Sequence, residues 1–159
     1  TLIPGIDMPQ APIGALRARL EARLAAMRGE HRIVVFGCDH GARAASVEGG
    51  DVLAFSLLCT GMLPPSFIDY ALRQGATGVV VAGCREGSCE FRLGTRWTAQ
   101  RLRGEREPRL RRRVPRERLQ VVWADRGDEP SLQAAVRALR ALPFPAPGGA
   151  IPRPRRAAP

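Results

Sequence analysis

Gly78-Val79-Val80-Val81-Ala82-Gly83-Cys84-Arg85-Glu86-Gly87-Ser88-Cys89 is the stretch on which the reading of this chain turns. A short β-branched run, too short for an independent helix, ends in glycine and opens onto a loop carrying two cysteines. That pattern predicts a buried strand that delivers thiols to a polar edge. Two further cysteines stand in matching places: Cys38 follows Arg32-Ile33-Val34-Val35-Phe36-Gly37, and Cys59 follows Asp51-Val52-Leu53-Ala54-Phe55-Ser56-Leu57-Leu58. If these runs are parallel neighbours, their carboxyl ends share one edge of a sheet and sequence-distant thiols converge there. Cys89 lies on the loop that leaves the third strand.

The rest of the chain supplies the helices such a sheet needs. Leu16, Leu20, Leu24 and Met27 recur at helical spacing between Gly14 and Met27, with arginines on the other face. Ala42 to Val47 reads as a short helix. Pro65 opens another, with Phe67, Ile68, Ala71 and Leu72 as its buried stripe and Gly75 as its stop. Thr95 is read as the N-cap of a helix through Trp97, Arg101 and Leu102, and Pro108 predicts a kink or a second short helix beyond it. Leu119 to Trp123 is the fourth strand. Asp128 then caps a last helix with Leu132, Ala135, Val136 and Leu139 facing inward.

Helix followed by repeated strand–helix units predicts an α/β fold. The expectation is a single doubly wound, flavodoxin-like parallel sheet of about four strands with an extra N-terminal helix. Ligands in such sheets sit outside the carboxyl ends of the strands, where all four cysteines and Asp125 fall. Neither a G-x-G-x-x-G fingerprint nor a P-loop is present, so a metal centre is expected there rather than a nucleotide.

With 159 residues, one domain is expected. Prolines gather at both ends, which divides the chain into an extended arm (1–13), an α/β domain (14–142) and a Pro/Arg-rich tail (143–159). Residue 1 is Thr, which fits either a removed initiator or the carboxyl portion of a longer polypeptide. No run approaches the roughly 18 apolar residues of a membrane span, and no secretory signal opens the sequence, so a cytoplasmic location is expected. The net charge of +10 comes entirely from arginine, with no lysine at all. Ten arginines fall between Arg96 and Arg118, without the interleaved aromatics of a base-stacking surface. An acidic protein partner is therefore expected, and no nucleic acid.

Four cysteines without a secretion signal argue against a disulfide framework. Their spacings of 21, 25 and 5 residues put them on separate elements, and the paired C-x₂-C knuckles usual for structural zinc are absent. Four thiolates can hold zinc, a [2Fe–2S] or a [4Fe–4S] cluster. A redox disulfide between Cys84 and Cys89 is a further reading, though its C-x₄-C spacing differs from the usual C-x-x-C. Gly37, Gly41, Gly61, Gly83 and Gly87 are read either as ordinary turn residues or as small positions that let backbone amides approach sulfur. No Ser/His/Asp set or paired-carboxylate site stands out. Asp39, Glu86, Glu90 and Asp125 are read as solvated loop residues or turn caps.

Val81-Ala82-Gly83-Cys84-Arg85-Glu86-Gly87-Ser88-Cys89-Glu90-Phe91, followed by Gly94 and an Arg-rich helix, closely resembles the small iron–sulfur (delta) subunit family of methyl-viologen-reducing hydrogenase. Leu58-Cys59-Thr60-Gly61 is similar to that family's Cys-Ser/Thr-Gly motif, and Phe36-Gly37-Cys38 to its first cysteine region. The resemblance covers roughly residues 31 to 142. It implies a [2Fe–2S] electron carrier with Cys38, Cys59, Cys84 and Cys89 as ligands and FAD on a partner subunit rather than on this chain. The implied partners are a flavin-containing, heterodisulfide-reductase-like subunit and a hydrogenase- or formate-dehydrogenase-like subunit, in assemblies that often perform flavin-based electron bifurcation. This chain departs from the family pattern at Gly41, where a cysteine is usual, and at Met62, where a basic residue is usual. Were Cys38 not a ligand, His40 would be the nearest substitute. The alternative is a structural or assembly module of the same fold that binds zinc or no metal.

Overall fold

The computed structural model describes residues 12–143; the N-terminal arm up to residue 11 and the tail from 144 onward lie outside the described residues. Four helices alternate with four strands: α1 (Ile13–Ala26), β1 (Ile33–Cys38), β2 (Val52–Leu57), α2 (Ser66–Arg73), β3 (Gly78–Gly83), α3 (Gly94–Arg103), β4 (Leu119–Trp123) and α4 (Glu129–Arg140). The strands form one all-parallel sheet in the order β2-β1-β3-β4. The flavodoxin-like α/β expectation is met, with α1 as the extra leading helix.

Burial explains why these runs are strands. Every residue of β1 and β3 is buried, as central parallel strands covered on both faces must be. Their side chains alternate between two cores. Val34, Phe36, Phe55, Val79 and Val81 meet Leu20, Leu24, Phe67, Ile68 and Leu102 on one face. Ile33, Val35, Val52, Val80 and Ala82 meet Leu132, Val136 and Leu139 on the other. The inward stripes read from the sequence for α1 and α4 are the buried ones.

The differences lie at element ends. Cys38 is the last residue of β1 rather than the first of a loop. The crossover from β1 to β2 holds only a 3₁₀ turn, Ala44–Val47, because Ala44 packs on Gly37 so closely that a Cβ there would stand 2.6 Å from Ala44 Cβ. α3 begins two residues early, at Gly94, with Leu93 rather than Thr95 at the N-cap. It ends at Gly104, whose φ of 84° lets the chain turn off the helix. No second α-helix follows: the chain runs irregularly to a 3₁₀ turn at Arg116–Arg118.

This topology positions the site. From β1 the chain moves one way to β2, then returns past β1 to place β3 on the opposite side. The carboxyl ends of β1 and β3 therefore flank the point where the winding reverses, the usual ligand crevice of open α/β sheets. Cys38 closes β1 and Cys84 directly follows β3.

Candidate functional site

Cys59 reaches this crevice from β2, two residues past Leu57, and Cys89 from the loop after β3. All four cysteines are free thiols; Cys38, Cys59 and Cys84 are buried, and Cys89 is half-buried. They interact with one another in sequence around the crevice. Cys38 is influenced by Cys59 and Cys84, Cys59 by Cys38 and Cys89, and Cys84 by Cys38 and Cys89. Gly94 closes the ring: a Cβ on it would lie 2.4 Å from Cys59 Sγ and 3.3 Å from Cys89 Sγ. The first residue of α3 is thus a bare α-carbon wedged against two sulfurs. Among the described residues, no group of three or more His, Cys, Asp or Glu side chains is arranged to hold a single metal ion. The thiols are disposed as a string of neighbours around the crevice.

Backbone and hydroxyl groups turn toward the sulfurs. The Gly61 N–H donates to Cys59 Sγ at 3.3 Å. Thr95, read from the sequence as a helix cap, instead donates its hydroxyl to the Cys84 carbonyl at 3.0 Å and sits 3.4 Å from Cys84 Sγ. Cys38 Sγ lies 3.7 Å from the Leu58 carbonyl oxygen.

These contacts split the thiols into two kinds. The hydrogen bond from Cys59 brings the Cys38 thiol down to about 5; burial opposes this, and the N–H groups of His40 and Cys84 assist it. The same bond to Cys38 pushes the Cys59 thiol up, and burial adds to it. Burial pushes Cys84 up to about 11, with the Thr95 hydroxyl pulling the other way. Burial also acts to raise Cys89, but the backbone N–H and hydroxyl of Thr95 and the N–H groups of Phe91 and Gly94 outweigh it, so that thiol is lowered. A thiolate at Cys38, with N–H donors aimed at Cys38, Cys59 and Cys89, is the chemistry a cationic centre requires of soft ligands.

The cysteine loop is held from β4. Asp125 accepts the Arg85 N–H on Oδ1 and the Ser88 hydroxyl on Oδ2, each at 2.9 Å. Its own backbone bridges to Gly41, and Arg85 pairs with Asp128 at 2.9 Å. Asp125 is therefore a turn cap that spans both cysteine-bearing loops. Asp39 accepts the Ser56 hydroxyl, another loop contact. His40 is exposed on the same edge, its ring set edge-on to Phe91 with centroids 6.0 Å apart.

The glycines divide in function. Gly61 delivers an amide to sulfur, as one sequence reading allowed. Gly41 passes so close to the Ala124 carbonyl and the Cys84 amide that a Cβ would come within 2.9 and 3.1 Å of them. Gly83 lies under the Trp123 ring, 2.5 Å from where its Cβ would be, and Gly87 faces open space. Gly94 and Thr95 are the site residues whose roles sequence reasoning missed, whereas Asp125 is the turn cap that one sequence reading allowed. Gly94 was visible only as part of a motif, and Thr95 carried the misleading signature of a helix start.

The chain is a flavodoxin-like α/β domain that gathers four free thiols at the topological switch point of its sheet. Its sequence places it more narrowly. Residues 33–141 match the family described as methyl-viologen-reducing hydrogenase, delta subunit, and the chain belongs to that family. It is 42% identical over 38 residues to an iron–sulfur subunit of the vhc F420-non-reducing hydrogenase of Methanococcus voltae, covering 24% of this chain and 26% of that protein. It is 32% identical over 65 residues to an iron–sulfur subunit of the F420-non-reducing hydrogenase of Archaeoglobus profundus, covering 41% of this chain and 47% of that protein. The chain thus spans less than half the length of these curated relatives. No helix among the described residues is long and apolar enough to cross a membrane.

Proposed function

We propose that this chain is an iron–sulfur electron-transfer subunit and that Cys38, Cys59, Cys84 and Cys89 hold a [2Fe–2S] cluster. The observation that carries the reading is the gathering of four free thiols at the switch point, three of them buried, with the bare α-carbon of Gly94 set against two of the sulfurs. The donor set fits: four cysteine sulfurs are what such clusters take. A cluster with more than one iron would share the four thiolates among its irons, so the sulfurs would not need to meet at one point. The similar hydrogenase subunits are named iron–sulfur subunits, which supports an iron–sulfur centre.

When bound, the cluster supplies reversible one-electron chemistry. This chain's residues hold the centre and set its environment. The backbone amides of Gly61, Gly94 and Thr95 compensate negative charge on sulfur, which favours the reduced state. Burial of three of the four thiols excludes water from most of the centre, and Asp125 fixes the loop that carries Cys84 and Cys89. The working assembly we propose sets this subunit beside a flavin-containing, heterodisulfide-reductase-like subunit that carries FAD, with a hydrogenase- or formate-dehydrogenase-like subunit as the other redox partner. A cytoplasmic, electron-bifurcating complex is the setting that follows.

Anaerobic purification with iron, sulfide and zinc analysis tests this reading. The expected result is about two irons per chain, a visible spectrum bleached by dithionite and an EPR signal in the reduced protein. Serine at any one of the four cysteines should lower iron content, whereas loss confined to Cys84→Ser and Cys89→Ser would favour thiol–disulfide chemistry. Stoichiometric zinc without iron would point to the assembly module instead.

A further inference from the structure

Three of the four large hydrophobic side chains left exposed among the described residues lie within seven positions of one another, beside the least buried thiol. Phe91 is 54% exposed, Leu93 41% and Trp97 36%. They are continuous: Leu93 follows Phe91 in the tight turn after Cys89, and the Trp97 N–H bonds to the Leu93 carbonyl at 2.8 Å, one helical turn on. His40 flanks Phe91 on one side, and the Arg106 guanidinium stacks over Trp97 at 4.4 Å on the other. Cys89 takes N–H contacts from Phe91 and Gly94, so this patch is the outer wall of the thiol site. Scattered exposed apolar residues are ordinary, whereas a contiguous group against a functional centre marks an interaction site.

The surroundings are basic. Between Glu90 and Arg106 the chain carries five arginines against two glutamates. Glu105 is taken up by Arg103, at 2.8 Å, and Arg101 turns inward to the Gly61 carbonyl, also at 2.8 Å. Among the described residues the guanidinium groups of Arg92 and Arg96 have no hydrogen-bond or ion-pair partner, and both residues are exposed, as is Arg106. An open groove of about 550 Å³ runs between α3 and the cysteine loop, and its walls carry three arginines, Arg85, Arg96 and Arg103, against one carboxylate, Glu86. An apolar centre ringed by guanidinium groups matches a protein surface of opposite pattern: aromatic or aliphatic side chains rimmed by carboxylates.

We propose that Phe91, Leu93 and Trp97, ringed by Arg92, Arg96 and Arg106, form the docking face for one acidic redox subunit, which covers the Cys89 side of the thiol site. This rests on the electron-carrier reading, because a centre that passes electrons needs its thin wall against a partner. Leu93 and Trp97 anchor the contact, and the arginines steer association and make it salt-sensitive.

The test uses the full chain, tagged and isolated anaerobically from its own host with its native redox subunits. A photo-crosslinking amino acid replaces Leu93 or Trp97, with Gln133, exposed on α4 across the sheet, as the control position. Adducts from 93 and 97, but not 133, to a carboxylate-rich segment of a flavin or iron–sulfur subunit are expected. In parallel, Leu93→Ser and Trp97→Gln should each weaken retention of that subunit by roughly 10-fold or more. Arg96→Glu should weaken it most at low salt, and Val121→Ser, on the remaining exposed hydrophobic, should leave it unchanged. Adducts only from 133, adducts to a second copy of this chain or to nucleic acid, or full retention by both anchor variants would overturn the docking face. The iron content and visible spectrum of the unsubstituted chain report separately on the carrier reading, so the two failures are distinguishable.

Discussion

A methyl group at position 94 would lie 2.4 Å from Cys59 Sγ, well inside any tolerated contact. In a helix, alanine is otherwise favoured over glycine by about 1 kcal/mol, so the substitution isolates the clash with sulfur. Gly94→Ala is therefore expected to retain the helical circular dichroism of the fold while its iron content falls to a small fraction of the unsubstituted level. Gly61→Ala should be milder, since its Cβ would meet Cys59 Sγ at 3.3 Å and Gly94 Cα at 3.2 Å, displacements a small shift accommodates. Equal iron in Gly94→Ala and the unsubstituted protein would show that the sulfurs do not need this gap. The residue types that carry this site were legible, because cysteine at strand ends has few structural explanations. The closeness of Gly94 to Cys59 was not, since it depends on how α3 sits on the sheet.

At the scale of elements, the arginine-rich segment proves to be two things. Part of it is surface, but Arg111 and Arg113 reach Asp69 on α2, at 3.3 and 2.6 Å, and Arg73 joins them at 3.4 Å. Asp69 is fully buried, and burial alone would raise its carboxyl. The Arg113 hydrogen bond and the charges of Arg73, Arg113 and Arg111 overcome this and hold it below the ordinary carboxylate range. The clasp fastens the irregular chain after α3 to α2, where Leu110 and Val114 complete the core. Asp69→Asn is expected to cost about 2–3 kcal/mol in urea unfolding, the loss of charge-assisted bonds at a buried acceptor. An unchanged midpoint would mean the arginines are held by their own packing. Arg116 and Arg118 are likewise occupied, by the Leu102 and Thr77 carbonyls. A run of like charge invites reading as one surface, and only tertiary contacts reveal which members are spent inside the fold.

Across the whole molecule, the last helix is tied back to the second strand's entry: Arg140 grips Asp51 through two bonds of 2.6 and 2.8 Å. The Arg140 hydrogen bond holds the Asp51 carboxyl below its ordinary value, against a smaller opposing effect of burial. A lowered carboxylate contributes stability that is present above its unfolded pKa, near 4, and lost as pH falls through the folded value. Both side chains are partly exposed, so the pair is worth only about 0.5–1 kcal/mol. Asp51→Asn should lower thermal stability slightly at pH 7, and the difference between the two proteins should vanish as acid protonates Asp51 in the folded state. A gap that persists in acid would assign the loss to packing rather than to charge.

The sequence by itself determined the alternation of helix and strand, the parallel sheet and the edge on which the cysteines fall. Those follow from local periodicity and from the handedness of crossovers, which act within one or two elements. It also carried the family resemblance, through motifs that are contiguous in the chain. What only the tertiary structure decided were the partners across the crevice: Gly94 against two sulfurs, Thr95 on Cys84 instead of a helix end, Asp125 over both loops, and Asp69 beneath three arginines. Each joins positions on separate elements. Their distances depend on where packed helices come to rest against the sheet, and no local pattern encodes that.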